Sequence, residues 1–553
     1  MDRNNILSGL EDDIKKVLYG YIQAKSFTNT EHEKEAENFL MNYFSKIPYF
    51  ASHPEHYGTY PIKEDGYERS VCFAMVRGDG PDTIVFVHHN DVVDIEDFKL
   101  LKPLAFSPDE LEDSLLEIAD RLPDEASADI KSGNYLFGRG VADMKGGGAI
   151  QLSLLERYSR LSDFKGNVIA LMVPDEENLS AGMRAGVCLL DELQNKYNLK
   201  YRLMINSEPH QRKRNEEGIF SEGSIGKVMP FVYVQGTLSH IGKVFEGFNP
   251  VMLMSEIVRE TELNMDFSDS VGDECAPPPT WLYLKDSKEH YDVSVPLSMY
   301  GCLSVLTLTQ TPEEILKRLC EICEKAFDTV INDMNKSYDR FCKQTVPVAG
   351  KLPWRRKVSS FDELFNEAAD SYGISFLEKY AKVKKQIASD IGTNALGIAE
   401  GNNKLIAFVF DYISDYSPRV VYGLIPPYYP SVSNRFAGER TGDSLKTIIT
   451  EFASKSFHQK YVREYYYTGI SDLSYSHVRG GQALRELLKK QMPLFGALYD
   501  IPFEKIEKIS MPCINIGPWG KDFHKLTERV FKEDLFIRTP AIINEVVMNI
   551  LDG

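Results

Sequence analysis

Along the first 225 residues the apolar positions keep changing period. The stretches "SGLEDDIKKVLYGYIQAK" (8–25) and "NTEHEKEAENFLMNYFSKI" (29–47) repeat at helical spacing. Thr30 and Glu33 stand three apart at the start of the second, as a capping box requires. "SVCFAMVRG" (70–78), a "GDGPD" turn and "TIVFVHH" (83–89) predict a strand hairpin. A helix over "KGGGAIQLSLLERYSRL" and strands over "NVIALMVP" and "YRLMIN" follow. This alternation predicts an α/β layer fold on a parallel or mixed sheet. Ligands of such sheets bind outside the carboxyl ends of the strands.

From about Ile225 the texture changes. "GKVMPFVYVQG" reads as a strand and "NPVMLMSEIVRETELN" as a helix, with Asn249 as N-cap and Pro250 at its first position. Strands over "TWLYLKD" and "GCLSVLTLT" and a long helix over "TPEEILKRLCEICEKAFDTVINDMN" complete a strand–helix–strand–strand–helix order. That order predicts a ferredoxin-like α+β domain at 226–345, inserted between two parts of a catalytic domain at 1–225 and 346–553. Segment 346–426 reads poorly, with a helix over "SFDELFNEAADSYG" and one strand, "KLIAFVFDYI". The α/β texture then returns and ends in "CINIGP" and a helix.

Length and charge narrow the class. A chain of 553 residues needs more than one core. Hydrophobic residues at 43% and charged residues at 26% describe a soluble globular protein. A net charge of −18 argues against nucleic acid or an anionic membrane as partner. There is no apolar run of ~20 residues and no signal-peptide pattern at the start, so a cytoplasmic protein is expected. Eight cysteines are too few for a disulfide framework, and Cys320 and Cys323 fall on an amphipathic helix face rather than in a zinc knuckle.

Chemistry gathers where apolar strands end. His89 and Asp91 in "HHND" share one face of an extended chain; a histidine ligand commonly gives its second ring N–H to such a carboxylate. Asp143 lies in "GRGVADMKGG", a glycine-rich strand-to-helix turn. Asp175, Glu176 and Glu177 follow "NVIALMVP", Glu208 follows "YRLMIN", and His524 follows the Gly517–Pro518 turn. Singly, each has an ordinary explanation as a hydrogen-bonded pair, a helix cap or a solvated loop. Together they bring two histidines and at least three carboxylates to one sheet edge. Clustered carboxylates repel unless cations compensate. Two divalent ions would balance three carboxylates and a bridging hydroxide. Nitrogen and oxygen donors without thiolate suit zinc and permit cobalt or manganese.

The ordered set from His89-x-Asp91 through Asp143-Met144-Lys145-Gly146-Gly147, Asp175-Glu176-Glu177 and Glu208-Pro209 to Gly517-Pro518…His524 resembles the M20 metallopeptidases and deacylases, with the pattern of the RocB-like arginine-utilisation branch. The resemblance implies a mixed-sheet zinc-hydrolase catalytic domain with an inserted ferredoxin-like lid and dimerisation domain. It implies that Asp143 bridges two metal ions, with His89 and Glu208 on one side and Glu177 and His524 on the other. Glu176 would be the general base and Asp91 the brace of His89. "GTLSHIGKVFEGFN" would supply His240 to the second subunit's oxyanion, and Asn249 to the substrate. Some positions depart from the family: Asp94 stands for a proline, Trp519 for a glycine, and "KLTERV" follows His524 where Asn-Glu-Tyr is common. Residues between Asp94 and Lys131 look like an addition.

The expected function is hydrolysis of an amide bond in a small peptide or N-acyl amino acid, in arginine or ornithine metabolism by resemblance. Arg435 is a candidate grip for the substrate carboxylate. A non-catalytic metal-dependent binding or regulatory protein is the alternative, which the presence of Glu176 and His240 disfavours.

Overall fold

The computed structural model describes residues 5–212, 217–345, 350–436 and 439–552. The chain forms two compact units, one of Met1–Ile225, Pro430–Arg479 and Pro502–Gly553, the other of Gly226–Tyr429 and Gly480–Ile501. Among the described residues no helix is long and apolar enough to cross a membrane.

The first unit begins with α1 (Leu10–Ile22) and α2 (Glu33–Ser45), then β1 (Tyr57–Pro61), β2 (Ser70–Arg77) and β3 (Asp79–His89). A small helical segment ends in α3 (Asp124–Ser132), followed by β4 (Tyr135–Phe137), α4 (Lys145–Tyr158), β5 (Lys165–Val173), β6 (Lys200–Asn206) and β7 (Glu217–Ser221). The second unit contains β8 (Pro230–Gln235), α5 (Pro250–Thr261), β9 (Thr280–Asp286), β10 (Ser298–Thr307), α6 (Pro312–Thr345), β11 (Val358–Ser360), α7 (Phe361–Gly392), α8 (Ile398–Phe410) and β12 (Arg419–Leu424). The first unit resumes with β13 (Lys460–Glu464), β14 (Cys513–Asn515), β15 (Gly520–Lys521), β16 (Arg529–Phe531) and α9 (Thr539–Asp552).

Its main sheet is mixed and eight-stranded, in the order β1-β2-β5-β3-β6-β14-β7-β13. The predicted β2–β3 hairpin does not form. β5 lies between the two strands, antiparallel to β2 and parallel to β3. Both strands are buried over most of their length. Such a strand needs neighbours on both sides, and β5 supplies one to each. The capping box at Thr30 and Glu33 is also absent. Thr30 Oγ1 donates to Phe27 O, and the buried Glu33 carboxylate instead accepts the Asp175 N–H at 2.8 Å and binds Arg69 at 2.6 Å.

The second unit carries the ferredoxin-like order: β12-β8-β10-β9 with β11 added parallel beside β12. Its fourth strand is "RVVYGL" at β12, beyond the expected limit of residue 345. "KLIAFVFDYI", expected as a strand, is mostly the second half of α8. Leu405, Ile406 and Val409 recur at i, i+1 and i+4 and share one buried face. Helices α5 and α6 pack on one side of this sheet through Leu253, Ile257, Cys323 and Phe327. α7 and α8 pack on the other through Leu364, Phe376, Leu405 and Ile406. Segment 346–426 therefore adds a second core to the inserted unit. Asn249 caps α5 as expected, its Oδ1 accepting from Val251 N at 3.0 Å.

Candidate metal centre

Four strands of the first unit stop together. His89 lies opposite Val173, Val87 opposite Asn206, and Asn206 opposite Asn515. Each apolar run thus hands over to polar residues at one edge, as open α/β sheets do. Close backbone approach tightens that edge. A Cβ on Gly147 would stand 2.1 Å from Ser207 O, and one on Gly517 1.9 Å from Glu208 O. Only glycine permits either approach.

The expected ligand residues converge there. His89 is buried, and its Nδ1 donates to Asp91 O at 3.1 Å, with the Asp91 carboxylate at 3.5 Å. That leaves Nε2 facing Asp143 Oδ1 at 3.1 Å and Glu208 Oε1 at 3.5 Å. His524 Nε2 lies 2.8 Å from Glu177 Oε1 and 3.3 Å from Asp143 Oδ2. Asp143 therefore offers one oxygen to each histidine. His89, Asp143 and Glu208 form one triad and Asp143, Glu177 and His524 another, with the ligand atoms of each within 4.8 Å of one another; His89, Glu176 and Glu177 form a third grouping. Asp91 also accepts the backbone N–H groups of Glu176 and Glu177, both at 3.2 Å, so one carboxylate orients the ring and the acidic turn together.

The charges at the site are badly balanced without cations. Burial, then Glu177, Asp472 and Glu208, push Glu176 well above the ordinary glutamate range, with His89 opposing. Burial also raises Glu208 and Glu177, each further lifted by Asp143. Hydrogen bonds to Asp143 and Glu177 raise His524 to about 10. Burial works against the His89 imidazolium, but Glu208, Asp143 and Asp91 outweigh it and raise its pKa well. The sequence reading missed Asp472, which sits in a short 3-10 turn and is raised to about 7 by burial and by Asp91 and Asp175. Carboxyls raised by burial and by one another, beside histidines raised by carboxylates, make a donor set that bound cations would stabilise.

Two supporting networks were also missed. Glu528, fully buried within "KLTERV", accepts backbone N–H groups from Gly140 at 2.8 Å, Ala142 at 3.2 Å and Asp143 at 3.3 Å, and binds Arg139 at 2.6 Å. It therefore shapes the turn that presents Asp143. Arg69 joins Glu33 at 2.6 Å, Asp65 at 2.7 Å and Asp175 at 2.8 Å, all buried. Asp175 has φ 69, a conformation rare outside glycine, and its Oδ2 accepts from Ala181 N at 3.0 Å. The turn carrying Glu176 and Glu177 is thus held from behind by a buried arginine. A sequence pattern gives no warning of this, because lone charges in irregular segments look solvated.

Three candidates remain. His240 and Asn249 belong to the second unit; His240 is exposed, and its Nδ1 accepts from Gly242 N at 3.1 Å. Arg435, in the first unit, is exposed with its guanidinium 5.2 Å over the Tyr465 ring.

Residues 119–542 match the model of peptidase family M20/M25/M40. The chain belongs to this family. Over 551 residues it is 32% identical to protein YqjN of Bacillus subtilis, covering 98% of this chain and 97% of the relative. It is 28% identical to protein RocB of the same organism, covering 98% and 95%. Among solved structures it resembles the di-peptidase Dug1p of Saccharomyces cerevisiae, with TM-score 0.54, 11% identity, and 100% and 98% coverage. It equally resembles the M20 family metallo-carboxypeptidase Sso-CP2 of Sulfolobus solfataricus, with TM-score 0.54, 12% identity, and 98% and 100% coverage. At these identities the two structures speak for the fold alone. The chain is an M20-type peptidase or amidohydrolase, built as a mixed-sheet catalytic domain with an inserted α+β domain.

Proposed function

We propose that the chain hydrolyses an amide bond in a small peptide or N-acyl amino acid, using a two-metal centre. One observation carries this reading: two histidine–carboxylate triads share Asp143, with Glu176 beside them. Imidazole and carboxylate donors without thiolate suit zinc, with cobalt or manganese as alternatives. A bound metal pair would polarise the scissile carbonyl and lower the pKa of a water toward ~7.

The protein's own groups supply the rest. Glu176 is buried and kept basic by its neighbours; it takes the proton of the attacking water and returns it to the leaving amine, a role worth roughly 10²–10⁴-fold. Asp91 holds the His89 ring and the Glu176–Glu177 backbone in one geometry. His240 has its Nδ1 engaged and its Nε2 available, and donates to the developing oxyanion. Asn249 and Arg435 hold the substrate's polar ends.

A homodimer, with His240 serving a second copy, belongs to the same reading. β9 is an edge strand whose outward Leu282 and Leu284 are 54% and 46% exposed, a surface that pairing would cover. The RocB-like pattern makes N-acyl derivatives of arginine and ornithine the first substrates to try.

The test is metal analysis of the purified protein, then a screen of dipeptides and N-acyl amino acids with wild type and Glu176→Gln. The reading expects about two ions per chain and turnover at least ~10²-fold lower in the variant, with metal content unchanged. A chain that stays metal-free after reconstitution with zinc, cobalt and manganese refutes it.

A further inference from the structure

His524 sits on the loop between β15 and β16, and its ring meets Glu177 and Asp143. Its place in the centre is therefore set by the loop's backbone. That backbone is strained: Asp522 and His524 have φ 54 and 62. The loop's root is the pair Lys521↔Arg529, directly opposite on antiparallel strands. Two like charges facing each other across strands push the strands apart. Arg529 is also wholly buried, so its charge has little water to screen it.

Carboxylates on α3, outside the loop, offset both charges: Glu125 Oε1 stands 2.8 Å from Lys521 Nζ, and Asp129 meets the lysine and the arginine together. Asp129 on α3 accepts from Arg529 Nε at 2.7 Å and from Lys521 Nζ at 2.8 Å through the same oxygen. Arg529 in turn bonds Asp522 and donates to Thr527 O at 3.0 Å, while Thr527 Oγ1 donates to Asp522 at 2.9 Å. The chain of contacts runs from α3 through the arginine to the left-handed residues around His524. The same segment reaches the Asp143 turn, because Asp97 lies 3.1 Å from Arg139, which binds Glu528.

We propose that the added segment 95–131 is a brace for the metal centre and that Asp129 is its positioning residue, holding the root of the His524 loop closed. The proposal rests on the two-metal reading above. It predicts selectivity: the ion held by Asp143, Glu177 and His524 depends on Asp129, and the ion held by His89, Asp143 and Glu208 does not.

The experiment is cobalt(II) titration of metal-free protein, followed by visible absorption and equilibrium dialysis, for wild type, Asp129→Asn, Asp129→Ala and Glu117→Ala, an exposed control in the same segment away from the loop root. Wild type and Glu117→Ala should bind two ions. The Asp129 variants should keep one ion at wild-type affinity and bind the second at least ~10-fold more weakly, the lower end for residues that orient a metal ligand. Circular dichroism should be unchanged. Should Asp129→Ala unfold, the isosteric Asp129→Asn is judged by the same criterion. Two ions bound at wild-type affinity by the Asp129 variants overturn the brace alone. Equal weakening of both ions also overturns it, since that is general destabilisation. A wild type binding fewer than two ions overturns the two-metal reading and the brace with it.

Discussion

Replacing Arg69 by methionine tests whether the acidic turn is held from behind. The substitution keeps much of the side chain's length and removes the guanidinium that Glu33, Asp65 and Asp175 share. Glu33 and Asp175 are essentially inaccessible and Asp65 is nearly so. Removing one partner from a buried ion pair costs about 3–5 kcal/mol, because the other charge stays buried. Against a typical total of roughly 5–15 kcal/mol, that is a large share. Urea unfolding of metal-free wild type and Arg69→Met should show this loss.

The sign of its pH dependence is fixed. Burial, then Asp91, already raise Glu33 well above its ordinary value, and Arg69 opposes them. Without Arg69 the folded-state pKa rises further, so above the unfolded value the folded state binds more protons than the unfolded one. Stability then falls as pH rises. The variant's deficit should therefore be larger at pH 8 than at pH 5. Arg69→Met/Glu33→Gln should recover part of the loss, because one stranded carboxylate is gone. A single variant within about 0.5 kcal/mol of wild type, the range of ordinary surface changes, would show that the arginine does not hold the turn.

Further outcomes follow from the same geometry. Asp143→Ala should lose both ions and His89→Ala mainly one, measured by elemental analysis after dialysis; equal losses would contradict a bridging Asp143. Metal loading near pH 7 should release protons from the ligand groups His89, His524, Glu177 and Glu208, whose pKa values are all raised in the metal-free protein; a pH-indicator titration showing no release would refute that protonation state. Mixing Glu176→Gln chains with His240→Ala chains should restore some activity if each copy lends its histidine to the other; no restoration would mean that His240 serves its own chain or none.

The candidate ligand residues are legible because they stand where apolar strands end, and a polar residue at the end of a buried strand stands out against its neighbours. Strand order was not legible. The short turn between β2 and β3 looked like a hairpin, and only burial on both flanks reveals β5 between them. "KLIAFVFDYI" is apolar enough to satisfy either period, so helix and strand could not be separated there. "RVVYGL" passed unnoticed because six residues after a poorly read segment carry little pattern. Glu33 was read as a helix cap from its local spacing, although its partners Arg69 and Asp175 are 36 and 142 residues away in sequence. Glu528 and Arg139 were hidden in the same way. Residues that orient other residues reveal themselves through distant contacts, which a local window does not contain.

The sheet of the inserted unit also bears on how assembly would stop. One end of it is β9, seven residues long; the other is β11, three residues that lead straight into α7. A ribbon or filament grows only if each added copy presents a fresh edge of useful length. Two copies joined β9 to β9 would use up the long edge, and the short one offers too little backbone to continue. Joined that way, the chain terminates its own polymerisation at two.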